Sequence, residues 1–309
     1  MIKNYIKAAR LRTLPLSVSG IIVGSILGNQ ASYDISGLSL KSSLFFSSIF
    51  WLAMLTTIGF QVISNFANDY GDGIRGSDNN RTGEARMVSS GIITPKQMKF
   101  AIIITSGITL IIALLLIYFA FGKENFRFSI LFFGLGITSI IAAIKYTVGN
   151  SAYGYSGFGD VFVFLFFGLL SVVGSYFLYT KNINFEIFLP AISIGLLSSA
   201  VLNLNNLRDR EEDKKNHKKT LVVKLGVKKA KLYHYLLILG ALVAASIYTF
   251  LNFRSIYQLL FLVAFIPLIK NIKTVSQNKI SAELDSELKK VALSTFLFAI
   301  LFAITSTII

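Results

Sequence analysis

The chain has 309 residues, of which 54% are hydrophobic and 15% charged, with a formal net charge of +15 at pH 7. Soluble domains hold about 25% charged residues, so this composition excludes an ordinary soluble protein and points to a chain that lies in lipid. There is no cysteine and there are two histidines, which excludes disulfide scaffolds, thiolate zinc centres, cysteine nucleophiles and multi-histidine metal sites.

Crossing a hydrocarbon core takes an apolar run of about 20 residues. In chain order such runs fall at about 14–30, 44–64, 98–120, 128–146, 160–179, 186–204, 232–251, 255–270 and 290–309. The first follows Lys3, Lys7, Arg10 and Arg12 in the manner of a signal peptide. Eight further runs succeed it, so it reads as an uncleaved first helix. Inside lipid the backbone must satisfy its own hydrogen bonds. The expectation is therefore an all-α, polytopic membrane bundle of about nine transmembrane helices.

Alternating spans place most basic residues on one side: the N-terminal four, the five from Arg75 to Lys99, Lys145, the ten between 208 and 231, and the five between 270 and 290. Only Lys41, Lys123, Arg127, Lys181 and Arg254 fall on the other. This asymmetry predicts an N-in/C-out chain in the inner (cytoplasmic) membrane. It also explains the positive surplus as a signal for topology and for anionic lipid, which removes the case for nucleic acid as a partner and leaves the bilayer.

Topology needs Lys and Arg, yet two loops on the basic side hold most of the acids. The first reads Asn65-Phe66-Ala67-Asn68-Asp69-Tyr70-Gly71-Asp72, then Arg75, Asp78, Arg81, Glu84 and Arg86; the second reads Asn205-Asn206-Leu207-Arg208-Asp209, then Asp213, Lys218 and Lys219. If the preceding helices continue, Asp69 and Asp72, and likewise Asp209 and Asp213, share a face about one turn apart. Like charges at that spacing repel unless a cation sits between them. Oxygen-only ligands suit Mg²⁺, which fills its shell with water and substrate phosphate, and the interleaved bases suit the phosphate itself. The plainer alternative is two solvated charged loops. Asp69 and Asp209 each close an even-numbered span. This suggests a single domain over 1–309 with a pseudo-repeat, spans 1–4 and 5–8 plus span 9, whose acid clusters face each other across a central cavity.

The paired motifs Asn68-Asp69-x-x-Asp72 and Asp209-x-x-x-Asp213 between membrane helices resemble the UbiA superfamily of intramembrane aromatic prenyltransferases. The run Ala9-Arg10-Leu11-Arg12-Thr13-Leu14-Pro15, the pair Ser90-Gly91, the stretch from Tyr153 to Gly168 and Lys218-Lys219-Thr220-Leu221 resemble the branch that prenylates 1,4-dihydroxy-2-naphthoate in menaquinone synthesis. A third aspartate at 78, with Gly at 76, is similar to that branch rather than to 4-hydroxybenzoate enzymes. The chain departs from the pattern at Leu11, Glu84 and His217, which replace a proline, a Gly-Pro turn and a glycine.

The resemblance implies Mg²⁺-dependent transfer of a polyprenyl group from its diphosphate to the naphthoate ring, with loss of diphosphate and CO₂ to give a demethylmenaquinol. It assigns metal binding to Asp69, Asp72, Asp209 and Asp213, with Asp78 completing the first site. Asn65, Asn68, Asn205 and Asn206 orient ligands or phosphates, and Arg75, Arg81, Arg208 and Lys218 meet phosphate. Tyr70, Tyr146, Tyr153 and Tyr155 are candidates to stabilise an allylic cation, against the alternative of ordinary packing. Lys145 reads as an anchor for the acceptor carboxylate or as a snorkelling lysine; Asp160 reads as a base, a metal ligand or a helix N-terminal acid. His217 is expected in a loop and His234 at the interface. The alternatives are the same fold with 4-hydroxybenzoate or homogentisate as acceptor, and a cation-coupled transporter. The transporter would require charge at mid-membrane depth, whereas the acids here sit at one rim.

Overall fold

Long apolar runs with scattered glycine can bury their polar backbone only by closing it on itself, as helix or as a sealed barrel. In a computed structural model, describing residues 2–36, 44, 47–76, 86–149 and 152–307, the described residues form helices and no strand. The short helix α1 (Ile2–Ala9) leads into α2 (Leu14–Ser36), α3 (Ser48–Arg75), α4 (Pro95–Phe121) and α5 (Phe126–Lys145). Then α6 (Gly159–Val163) runs through a wider π-helical stretch, Phe164–Leu170, into α7 (Ser171–Thr180). The chain continues as α8 (Phe188–Lys215) and α9 (Leu221–Leu251), and a 3-10 stretch, Ile256–Ala264, feeds α10 (Phe265–Gln277) before α11 (Leu284–Ser306). Joined across these changes of pitch, the described residues hold nine helices long and apolar enough to cross a membrane.

Local chemistry sets several of the ends. Thr94 and Gln97 form a reciprocal capping box with Pro95 in the first turn of α4, a favourable start because the first amides lack intrahelical partners. α3 stops where Gly76 takes a left-handed conformation with φ 69°, open to glycine at little cost. The largest difference from the expected spans is at α3 and α8, which run on through both acid motifs to Arg75 and Lys215. The motifs are therefore the last turns of helices rather than loops. The expected loop over 208–231 shrinks to a turn, because Thr220 caps α9 through the Val223 amide.

One core joins α8 and α9 to α11, α10 and the 3-10 stretch before it, where Phe261, Phe265, Phe298 and Phe302 are fully buried with ring centroids 5.2–6.2 Å apart. His234, expected at the interface, lies inside this packing: its Nε2 meets Asn271 Oδ1 at 2.7 Å, and Asn271 donates to Glu287 at 2.7 Å. A buried ring nitrogen needs such a partner. α7 approaches α2 closely over Gly20, Gly24 and Gly28, and a Cβ on Gly168 would stand 2.6 Å from Ala191 O and Gly195 Cα; small residues permit such backbone contact in membranes. Outward faces of α4 and α5 expose Phe100, Ile103, Ile111 and Phe126, as a lipid-facing surface requires. Between α2, α3 and α5 on one side and α6 to α8 on the other, the bundle leaves a central cavity.

Candidate active site

The cavity measures about 460 Å³. Its inner part is apolar, with Phe60, Phe132, Phe166, Leu170 and Leu178 among its walls, while Asp72, Arg86, Asp209, Asp213 and Lys218 gather at the end reached by α3 and α8. A cavity greasy along its length and charged at one end suits an amphiphile with a polar head.

The final turns of α3 place the first motif. Asn65 donates to Ala9 O at 2.8 Å and to Thr13 Oγ1 at 3.3 Å, which ties the N-terminal segment to α3. Asn68 Oδ1 accepts from Thr147 at 3.1 Å. Residues three apart on a helix differ by about 60° in direction, and the two aspartates use that difference. Asp69 turns away from the cavity and accepts the Met87 and Val88 amides at 3.0 Å each. Asp72 faces the cavity and accepts from Arg86 and Lys218 at 3.2 Å each and from the Tyr155 hydroxyl. Asp69→Ala would leave two amide donors without their acceptor, so a loss of about 1–3 kcal/mol is expected, read as a lower midpoint of thermal unfolding.

In the second motif Arg208 is the organiser. Its Nε and Nη2 donate to the two carboxylate oxygens of Asp209 at 2.7 Å, its Nη2 also reaches Asn205 Oδ1 at 2.8 Å, and its Nη1 meets Asp285 on α11. The Arg208 side chain is 2% exposed, which is tolerable for a guanidinium only with its fork this fully engaged. Asn206 lines the cavity, as does Asp213, whose Oδ1 stands 4.0 Å from Lys218 Nζ.

The remaining expected residues fall into three groups. Tyr146 and Tyr153 line the cavity with rings edge to face at 5.3 Å. Burial pushes both phenols well above their ordinary range, so they stay protonated. Outside the cavity lining are exposed Lys145 at the end of α5, exposed Arg75, and Asp160, buried at the start of α6 and hydrogen-bonded to Tyr233. Asp78, Arg81 and Glu84 lie outside the described residues. Asp285, and Ser17 and Gln61 that join Thr13 in a hydrogen-bonded chain along the cavity wall, carry no sequence signal: Asp285 is 77 residues from Arg208, beyond any helical spacing.

Among the described residues no three acidic or histidine side chains converge on one point. The donor set nonetheless fits Mg²⁺, being all oxygen. Moreover, the Lys218 ammonium stands between Asp72 and Asp213, 3.2 and 4.0 Å from their nearest oxygens, so the gap between the two motifs is one that draws a cation.

A model of the UbiA prenyltransferase family matches residues 35–286. The chain is 41% identical to a 1,4-dihydroxy-2-naphthoate octaprenyltransferase from Haemophilus influenzae, over 98% of this chain and 95% of that one. It is 38% identical to a protein of the same name from Escherichia coli K12, over 97% and 94%. Its fold is similar to that of a UbiA homolog from Archaeoglobus fulgidus bound to GPP and Mg²⁺, with TM-score 0.58 and 16% identity over 99% and 100% of the two chains.

Proposed function

Because this chain belongs to the UbiA prenyltransferase family, we propose that it transfers a polyprenyl group from polyprenyl diphosphate to 1,4-dihydroxy-2-naphthoate, releasing diphosphate and CO₂ to give a demethylmenaquinol. The observation that carries the reading is the meeting of both aspartate motifs and Lys218 at the charged end of an otherwise apolar cavity. Naphthoate as acceptor is supported by the names of the two relatives and by the spacing of Asp72 and Asp78. The excess of Lys and Arg beside the motifs supports a cytoplasmic mouth.

The chemistry begins with heterolysis of the allylic C–O bond, which leaves both electrons on the diphosphate. Asp72, Asp209 and Asp213 would hold Mg²⁺, which when bound supplies positive charge for that leaving group. Lys218 and Arg86 add fixed positive charge at the same end, in place before the charge on the leaving group develops. The aromatic wall of Tyr153, Phe162 and Phe166, with ring centroids 3.9 and 6.1 Å apart in succession, excludes water from the allylic cation and offers it negative ring faces. Protonated Tyr146 and Tyr153 are donors and not bases. Tyr153 is committed to Ala142 O at 2.8 Å, which leaves Tyr146 to hydrogen-bond an acceptor oxygen. The ring carbon bearing the carboxylate then takes the prenyl group, and loss of CO₂ returns the bonding pair to the ring.

The test is an assay of purified protein with Mg²⁺, a polyprenyl diphosphate and each of several aromatic acceptors, read by mass spectrometry. A prenylated, decarboxylated naphthoquinone is expected, and chelation should stop its formation reversibly. Product from 4-hydroxybenzoate alone would overturn the acceptor, and product from no acceptor would overturn the reading.

A further inference from the structure

Tyr155, in the connection between α5 and α6, has three charged groups of two other segments against it, α3 and the turn between α8 and α9. Its hydroxyl donates to Asp72 on α3. The Arg75 guanidinium carbon lies 4.2 Å from the ring centroid, and the Lys218 ammonium lies 4.7 Å from it. Of these two cations only Lys218 lines the cavity; Arg75 is exposed and also donates to Gly149 O. Two like charges drawn to one ring repel each other, so the attraction of the ring face must offset that repulsion.

The backbone around Tyr155 is fastened to the same partner segment. The Lys219 amide donates to Tyr155 O at 2.9 Å, and Lys224 Nζ donates to Ser156 O at 2.7 Å. These bonds fix the register between the turn at 153–157 and the residues leading into α9, and that register sets Lys218 against the ring. Lys218 needs this support, because a lysine carries about 2 kcal/mol of rotamer entropy and a single flexible point charge. Without the ring, its ammonium would be free to settle on either aspartate or leave the cavity.

We propose that Tyr155 is a positioning residue for diphosphate binding: its ring, braced by Arg75, fixes the Lys218 ammonium between the two aspartate motifs. This differs from the expectation that Tyr155 stabilises the allylic cation, since its ring is already engaged by cations of the protein. The inference rests on the diphosphate reading above, and its test separates the two.

Binding of inorganic diphosphate in the presence of Mg²⁺ is measured by titration calorimetry on the purified full-length protein. Tyr155→Phe keeps the ring and should bind within about threefold of wild type, while Tyr155→Leu should bind about tenfold more weakly. Lys218→Met should lose a similar amount, and adding Tyr155→Leu to it should change little, since the two act as a unit. Pentafluorophenylalanine in place of Tyr155 keeps the shape of phenylalanine but removes the negative ring face. It should match the leucine variant, and it serves if that variant does not fold. Equal affinity for the phenylalanine and pentafluorophenylalanine proteins, or fully additive losses with Lys218→Met, would overturn the positioning role. Wild-type protein that binds no diphosphate would overturn the diphosphate reading itself, together with this inference.

Discussion

Asp72→Asn is expected to lower prenyl transfer by at least about a hundredfold, the usual cost of losing one preorganised group at a developing charge. Asp72 faces the cavity and is the point where Arg86, Lys218 and Tyr155 meet. A neutral amide there removes the carboxylate charge that pairs with Arg86, whose side chain is 6% exposed, and stability should fall by about 3–5 kcal/mol. The two effects separate in the double variant Asp72→Asn/Arg86→Met. Removing both members of a buried pair should restore much of the unfolding midpoint, while turnover stays low. Recovery of turnover along with stability would show that Asp72 acts only through the fold.

Arg208→Ala is the second large effect. It removes at once the guanidinium that Asp209, Asp285 and Asn205 share, so loss of about 3–5 kcal/mol is expected, seen as a lower unfolding midpoint in detergent. Arg208→Lys should recover little, because one ammonium cannot make the parallel pair of bonds to Asp209 and also reach Asp285. An Arg208→Lys protein of wild-type midpoint and activity would contradict the assignment of Arg208 as organiser of the second motif. The expectation that Arg208 meets phosphate directly is thereby narrowed: its donors are directed to protein groups.

The membrane spans were legible in the sequence because lipid demands long apolar runs, and all nine recur as helices. Their ends were less so. Helices α3 and α8 continue through Asn65 to Asp72 and Asn205 to Asp213 because those polar side chains find protein partners instead of lipid, which no hydropathy window registers. The two acid motifs were found by their spacing, but not the divergence of Asp69 from Asp72: the amides of Met87 and Val88 that claim Asp69 return from 18 and 19 residues away. Arg86, read only as a flanking base, pairs with Asp72 for the same long-range reason. The burial of His234 is not legible in the sequence, because its partner Asn271 lies 37 residues on, in another helix.

The most direct test of the central claim is a structure of the protein with Mg²⁺ and a polyprenyl thiodiphosphate that cannot ionise. The account predicts the diphosphate at the charged end of the cavity, between Asp72 and Asp213 and against Lys218, with the prenyl chain along Phe60, Phe166 and Leu170. A diphosphate bound elsewhere, with Lys218 still on Asp72, would contradict it.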